Sequence, residues 1–180
     1  MWLSARTAAV LLLVLFVSSG CRKEKKLTAN LNVENKVAVR SVQLFYESSE
    51  MTLVAERRDV PLPENPGGAI PVVLRELLKG SANESIPRLF PADTVLRAAY
   101  LLPEGTVLVD LTGPTLTEGW STGSHQELMA VYSVVQTMTT NFSEARRVRF
   151  LLNGTPAETM GGHIALSRPV GPVPGAVPAR

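Results

Sequence analysis

Two stretches of this chain carry an apolar stripe down one helical face, and each is flanked by pairs of short alternating segments. Ile70, Val73, Leu74, Leu77 and Leu78 recur at i, i+3, i+4, i+7 and i+8, which predicts a helix with one buried face. Leu128, Val131, Tyr132, Val135, Met138 and Phe142 give the second such stripe. A helix apolar on one side needs a layer to cover it. The layer is supplied by segments rich in β-branched and aromatic residues at Val37–Tyr46, Met51–Val60, Val95–Leu102, Thr106–Leu111, Arg147–Leu152 and Thr155–Thr159, which read as strands. The order β-β-α-β-β-α-β-β predicts an α+β, two-layer sandwich: a mostly antiparallel sheet with two helices.

Punctuation sharpens the boundaries. Gly80 is a fitting helix stop. Asn65-Pro66 is one possible start of the first helix and a point nearer Gly68 is another, the first leaving Pro71 inside the helix. Ser124-His125-Gln126-Glu127 reads as a capping box for the second helix. Pro61, Pro63 and Pro66 are expected to end the second strand. Gly113–Gly123 reads as a loop, and Asn153-Gly154 as a tight hairpin turn. From Pro169 the chain runs VGPVPGAVPAR without apolar period and reads as a disordered tail.

The N-terminus reads as an address. Ala8–Val17 is an apolar run of ten behind Arg6, too short for a typical membrane span of about 20 residues and the right length for a signal-peptide core. Ser18-Ser19-Gly20 and the only cysteine, Cys21, follow. The order resembles the bacterial lipoprotein signal, in which the cysteine becomes the acylated first residue; Ser18 stands where leucine is usual. A lone Cys excludes a disulfide framework and paired-thiolate zinc sites. Arg22, Lys23, Lys25, Lys26, Lys36 and Arg40 concentrate the basic surplus near Cys21, so the net charge of +2 belongs to a tether and does not indicate nucleic-acid binding. The domains expected are a signal peptide over 1–20, a basic polar tether over 21–37, one folded domain over 38–168 and the tail over 169–180.

Few residues suggest a reaction. Gly119-Trp120-Ser121-Thr122-Gly123 matches G-x-S-x-G, but the strand that a nucleophile elbow requires ends near Leu111. His125 and His163 have no metal-ligand spacing with carboxylates such as Asp110 or Glu127. No catalytic set, metal or cofactor is therefore expected. The candidates for ligand or partner contact are Asp110, out of place in a strand; Gly161 and Gly162, which suggest close backbone approach; His163 beside them; and Arg147 and Arg149 on the last long strand. For Asp110 the plainer reading is that it points outward or caps a neighbouring loop. For the arginines it is a solvated or protected edge.

The stretch Val42–Leu166 resembles the GerMN domain, the sporulation and spore-germination module. The matching pieces are VQLFY, LVAERRDVPLPENP, LRELLKG, IPRLFPADTVLRAAYLLPEGTVLVDLT, SHQELMAVYSVVQTMT and RRVRFLLNGTPAETMGGHIALSRP. The resemblance implies a fold similar to ring-building motifs and a non-enzymatic envelope assembly or interaction module on a membrane-tethered lipoprotein. It implies a membrane anchor through acylated Cys21 and an envelope protein or a second copy as partner. Peptidoglycan binding and, less favoured, a small serine hydrolase using Ser121 are the alternatives. The implied location is the bacterial envelope: the periplasmic face of the outer membrane where there are two membranes, otherwise the outer face of the cytoplasmic membrane.

Overall fold

A computed structural model describes residues 36–173; the signal peptide, Cys21 and all but the end of the tether lie outside the described residues. Strands β1 (Val37–Glu47) and β2 (Leu53–Pro63) form an antiparallel pair. Strands β3 (Val95–Leu101), β4 (Thr106–Thr112), β5 (Arg147–Leu152) and β6 (Thr155–Pro156) form a second sheet in that order. The helices are α1 (Pro66–Leu78), α2 (Pro114–Gly119) and α3 (Ser124–Asn141). The α+β sandwich is observed. All pairings are antiparallel except β4–β5, whose parallel register needs the long crossover that α2 and α3 provide.

The core follows the two stripes. Ile70, Val73, Leu74 and Leu77 of α1 and Val131, Val134, Val135 and Met138 of α3 are buried with Val107, Val109, Leu111, Val148 and Phe150 from the inner face of the mixed sheet. Helix α1 starts at the Asn65 cap, whose Oδ1 accepts from the Gly68 N–H at 2.6 Å, with Pro66 at the first position and Pro71 inside. Gly80 ends it at φ +92°.

Helix α3 is buried more completely than its apolar stripe requires, because a polar stripe is also consumed. Asn141 Oδ1 accepts from the Gln43 N–H at 2.9 Å while its Nδ2 donates to the Gln43 carbonyl at 2.7 Å. Thr137 Oγ1 accepts from the Phe45 N–H at 3.2 Å, and Ser133 Oγ donates to the Phe45 carbonyl at 2.8 Å. The i, i+4, i+8 spacing of the helix rises about 6 Å per step, close to the two-residue rise of a strand, about 6.7 Å. Side chains of α3 thus occupy the edge of β1 where another strand would pair. Gln136, on the same helix, is buried with neither carboxamide atom hydrogen-bonded. Gln136→Met, which removes that unmet polarity at similar volume, is expected to raise stability by about 1–2 kcal/mol, measured by urea unfolding.

Five sequence expectations change. Pro61 and Pro63 lie within β2 instead of ending it. Gln43 and Phe45 turn their backbone groups toward α3, so their partners Arg57 and Ala55 turn theirs away from β1. Pro61 and Pro63 share that parity, and a proline on the outward side of an edge strand loses no ladder bond. The Gly113–Gly123 loop holds α2, opened by Pro114 and capped by Asp93, whose Oδ2 accepts from the Thr115 N–H at 2.8 Å. That bond, against a weaker desolvation effect, lowers the Asp93 pKa. Strand β6 is two residues long, Thr155–Pro156, and the Ala157 N–H still donates to the Phe150 carbonyl at 3.1 Å before the chain leaves the sheet. The capping box does not form: Gly123 is the cap of α3, without a side-chain hydrogen bond, and Glu127 is engaged elsewhere. Val170, expected in the tail, exchanges two 2.8 Å backbone hydrogen bonds with Val148; residues 174–180 lie outside the described residues.

Candidate functional site

Glu127, in the first turn of α3, is 0% exposed. Its Oε1 accepts from Thr159 Oγ1 at 2.7 Å and from the Met160 N–H at 2.9 Å, and its Oε2 accepts from the His163 N–H at 2.8 Å. Thr159 Oγ1 in turn accepts from the Gly162 N–H at 2.7 Å. Burial pushes the Glu127 pKa up, but the Gly161 N–H, the Thr159 hydroxyl and the Met160 and His163 N–H groups outweigh it and hold the carboxyl below its ordinary 4.5. Gly161 is required by packing: a Cβ there would stand 2.4 Å from Thr122 Cγ2 and 3.1 Å from Glu127 Oε2. His163 Nε2 meets the Thr122 carbonyl at 2.9 Å. Gly161, Gly162 and His163 therefore form a loop closed around an internal carboxylate, and their backbone donors serve the fold.

A second polar cluster closes the other helix. Tyr46 Oη donates to the Gly80 carbonyl at 2.9 Å and the Leu77 carbonyl at 3.3 Å. Arg58 donates to the carbonyls of Glu76 and Gly80, and Arg88 to that of Lys79. These donors satisfy the carbonyls that a helix C-terminus leaves open and place positive charge at its negative end. Burial, set against Arg58, raises the Tyr46 pKa to about 12, so its hydroxyl keeps the proton it donates. Glu56 binds Arg58 at 2.5 Å and Ser81 at 2.5 Å.

The remaining candidates meet on the outer face of the mixed sheet. Val148 and Phe150 point into the core, so Arg147, Arg149 and Leu151 point out; Val107, Val109 and Leu111 point in, so Thr106, Leu108 and Asp110 point out. The parallel register sets Thr106 beside Arg147, Leu108 beside Arg149 and Asp110 beside Leu151. On the other side Leu108 pairs with Tyr100, which is 62% exposed. Arg147 Nε donates to Thr106 Oγ1 at 2.9 Å. Asp110 accepts from the Gly154 N–H at 2.9 Å and pairs with Arg97 at 3.2 Å, which fixes the Asn153-Gly154 turn at positive φ for both residues. Asp110 thus caps a loop as its plainer reading expects, while Tyr100, Leu108, Arg147 and Arg149 form a face that no element among the described residues covers. Sequence reasoning missed Tyr100 and Arg97: the register shift between Leu96 and Ala98 breaks the alternation of β3, so Leu96 and Ala99 are both buried and Tyr100 turns outward.

The other chemistry is dispersed. Ser121 is exposed and makes no hydrogen bond to either histidine; His125 Nε2 lies 2.6 Å from Glu47 Oε1, and His163 is held by Thr122. Trp120, beside Ser121, is buried and stacks on Phe90 with centroids 6.3 Å apart. Among the described residues no cluster of three His, Cys, Asp or Glu side chains is placed to hold a metal.

The fold has solved counterparts. The first GerMN domain of the sporulation protein GerM from Bacillus subtilis superimposes with a TM-score of 0.56 at 22% identity, covering 73% of this chain and 97% of that one. The tandem GerMN domains of the same protein give 0.51 at 18% identity, over 74% of this chain and 46% of that one. A Clostridium perfringens protein assigned as a lipoprotein gives 0.50 at 15% identity, over 75% and 87%. At these identities the likeness concerns the fold. No curated protein matches the chain. The family model described as Germane, sporulation and spore germination, matches residues 43–158. The order of strands and helices and the span of that match agree: the chain belongs to the Germane family of sporulation and spore germination.

Proposed function

We propose that this chain is a lipid-anchored bacterial envelope protein whose Germane domain is a non-enzymatic interaction module. The observation that carries the reading is the open outer sheet face, where Arg147 and Arg149 flank Leu108 and Tyr100. An exposed aromatic beside arginines is the composition found where protein surfaces dock, and two cations with no facing acid among the described residues select an acidic partner. The lipoprotein-like signal ending at Cys21 and the lipoprotein assignment of the Clostridium perfringens structure support the anchor. Acyl chains on Cys21 and the basic tether together give stable attachment, the tether adding about 1 kcal/mol per basic residue near an anionic surface.

Cys21→Ser is expected to move the chain from the membrane fraction to the soluble fraction; a variant that stays with the membrane contradicts the anchor. In cells, chemical crosslinking of the wild-type chain is expected to recover an envelope protein partner, and R147E/R149E to reduce that recovery about tenfold or more, since both charges turn from attractive to repulsive. Retention of the purified chain on peptidoglycan sacculi, lost in R147E/R149E, with no protein partner recovered, would favour the wall-binding alternative.

A further inference from the structure

Sheet edges in this fold are treated unequally. The outer edge of β1 is filled by Ser133, Thr137 and Asn141 of α3. The outer edge of β5 is met by β6 and by Val170. The outer edge of β2 is met by nothing among the described residues. The parity set by Gln43 and Phe45 turns the backbone groups of Leu53, Ala55, Arg57 and Asp59 outward, and none of these four N–H groups is hydrogen-bonded there to a described residue. Ala55, Arg57 and Asp59 are exposed. Pro61 and Pro63 close the donor row at one end, so the usable edge runs from Leu53 to Asp59.

We infer that this edge pairs antiparallel with the same edge of a second copy of the chain, about a two-fold axis at Arg58. The inference deepens the assembly reading above by naming one partner. The charges select the register. Centred on Arg57, the pairing sets Arg57 against Arg57 of the second copy, a like-charge clash. Centred on Glu56, it sets Ala55 against Arg57 and Leu53 against Asp59, leaving both charges unmatched. Centred on Arg58, it sets Arg57 against Asp59 of the second copy, and by symmetry does so twice. In that register Arg57 and Asp59 both face outward, so each of those two pairs exchanges two backbone hydrogen bonds, while Ala55 falls opposite Pro61, whose carbonyl accepts from the Ala55 N–H but whose nitrogen cannot donate. Arg58 then faces its symmetry mate, but each Arg58 is already neutralised within its own chain by Glu56 at 2.5 Å and Glu76 at 3.5 Å. A charged, proline-flanked edge discourages indiscriminate pairing, and the alternation of Arg57 and Asp59 leaves one self-complementary alignment.

The test is sedimentation of the full chain and four variants. The wild type is expected to dimerise. R57D and D59R, each of which sets like charges opposite one another, should weaken the dimer about tenfold or more. R57D/D59R, with the charges exchanged, should restore it. Ala55→Pro removes an outward N–H that has no partner among the described residues, so it should abolish the dimer while circular dichroism stays native. A chain monomeric at all concentrations overturns the inference, as does a dimer indifferent to these charges. A monomeric chain that still loses its cellular crosslink in R147E/R149E overturns this edge pairing alone and leaves the sheet-face reading intact.

Discussion

Glu127→Ala is expected to destabilise the chain by about 3–4 kcal/mol, the largest effect of any single polar substitution considered. The carboxylate is fully buried and accepts from the Thr159 hydroxyl and the Met160 and His163 N–H groups. Removing it orphans those donors, each at about 1–3 kcal/mol when water does not replace the bond, and leaves a cavity. Glu127→Gln keeps the volume and part of the acceptor set, and should cost about half as much. The effect has a pH signature. Because the folded state holds the Glu127 pKa below its ordinary 4.5, the contribution is fully present above that value and is lost as pH falls through the lowered one. The stability gap between wild type and E127Q, from urea unfolding at a series of pH values, should be flat above pH 4.5 and narrow below it. A gap that widens on acidification would contradict the account.

Asn141→Ala combined with Thr137→Val is expected to cost about 3–5 kcal/mol. The pair removes three of the four bonds by which α3 covers the edge of β1, leaving the Phe45 N–H and both backbone groups of Gln43 without partners. Phe45 is fully buried, so its N–H has no water to turn to. Hydrogen exchange should show the Gln43 and Phe45 amides losing protection ahead of Val107 and Val109 in the mixed sheet, since β1 loses cover on one side only. Equal loss across both sheets would mean that the helix does not guard this edge.

These two sites show where sequence reading reached and where it stopped. The apolar stripes of α1 and α3, the Gly80 stop and the Asn153-Gly154 turn are local patterns, each decided within a few residues, and each is present. Glu127 was legible only as the last letter of a capping box, because S-x-x-E looks the same whether the carboxylate turns back to its own helix or reaches a loop more than 30 residues on. The Gly161-Gly162 pair signals backbone in close approach; what Gly161 approaches, Thr122 and Glu127, is set by tertiary packing. Ser133, Thr137 and Asn141 lie at helical spacing, yet nothing local shows that a strand edge awaits them. The same holds for the candidate face. Alternation places Asp110, Arg147 and Arg149 on outward sides of their strands, but only the parallel register of β4 and β5 brings them to one surface, and only the antiparallel pairing of β3 with β4 adds Tyr100.

A photo-crosslinking residue at Tyr100 probes the interaction face itself. Installed in the full chain in cells, it should capture one envelope protein, and R147E/R149E should remove that adduct while the chain remains folded and membrane-bound. The same residue placed at Glu118, exposed on α2, should capture nothing comparable. A Tyr100 probe that yields no adduct above the Glu118 control, or one whose adduct is unchanged in R147E/R149E, would contradict the account.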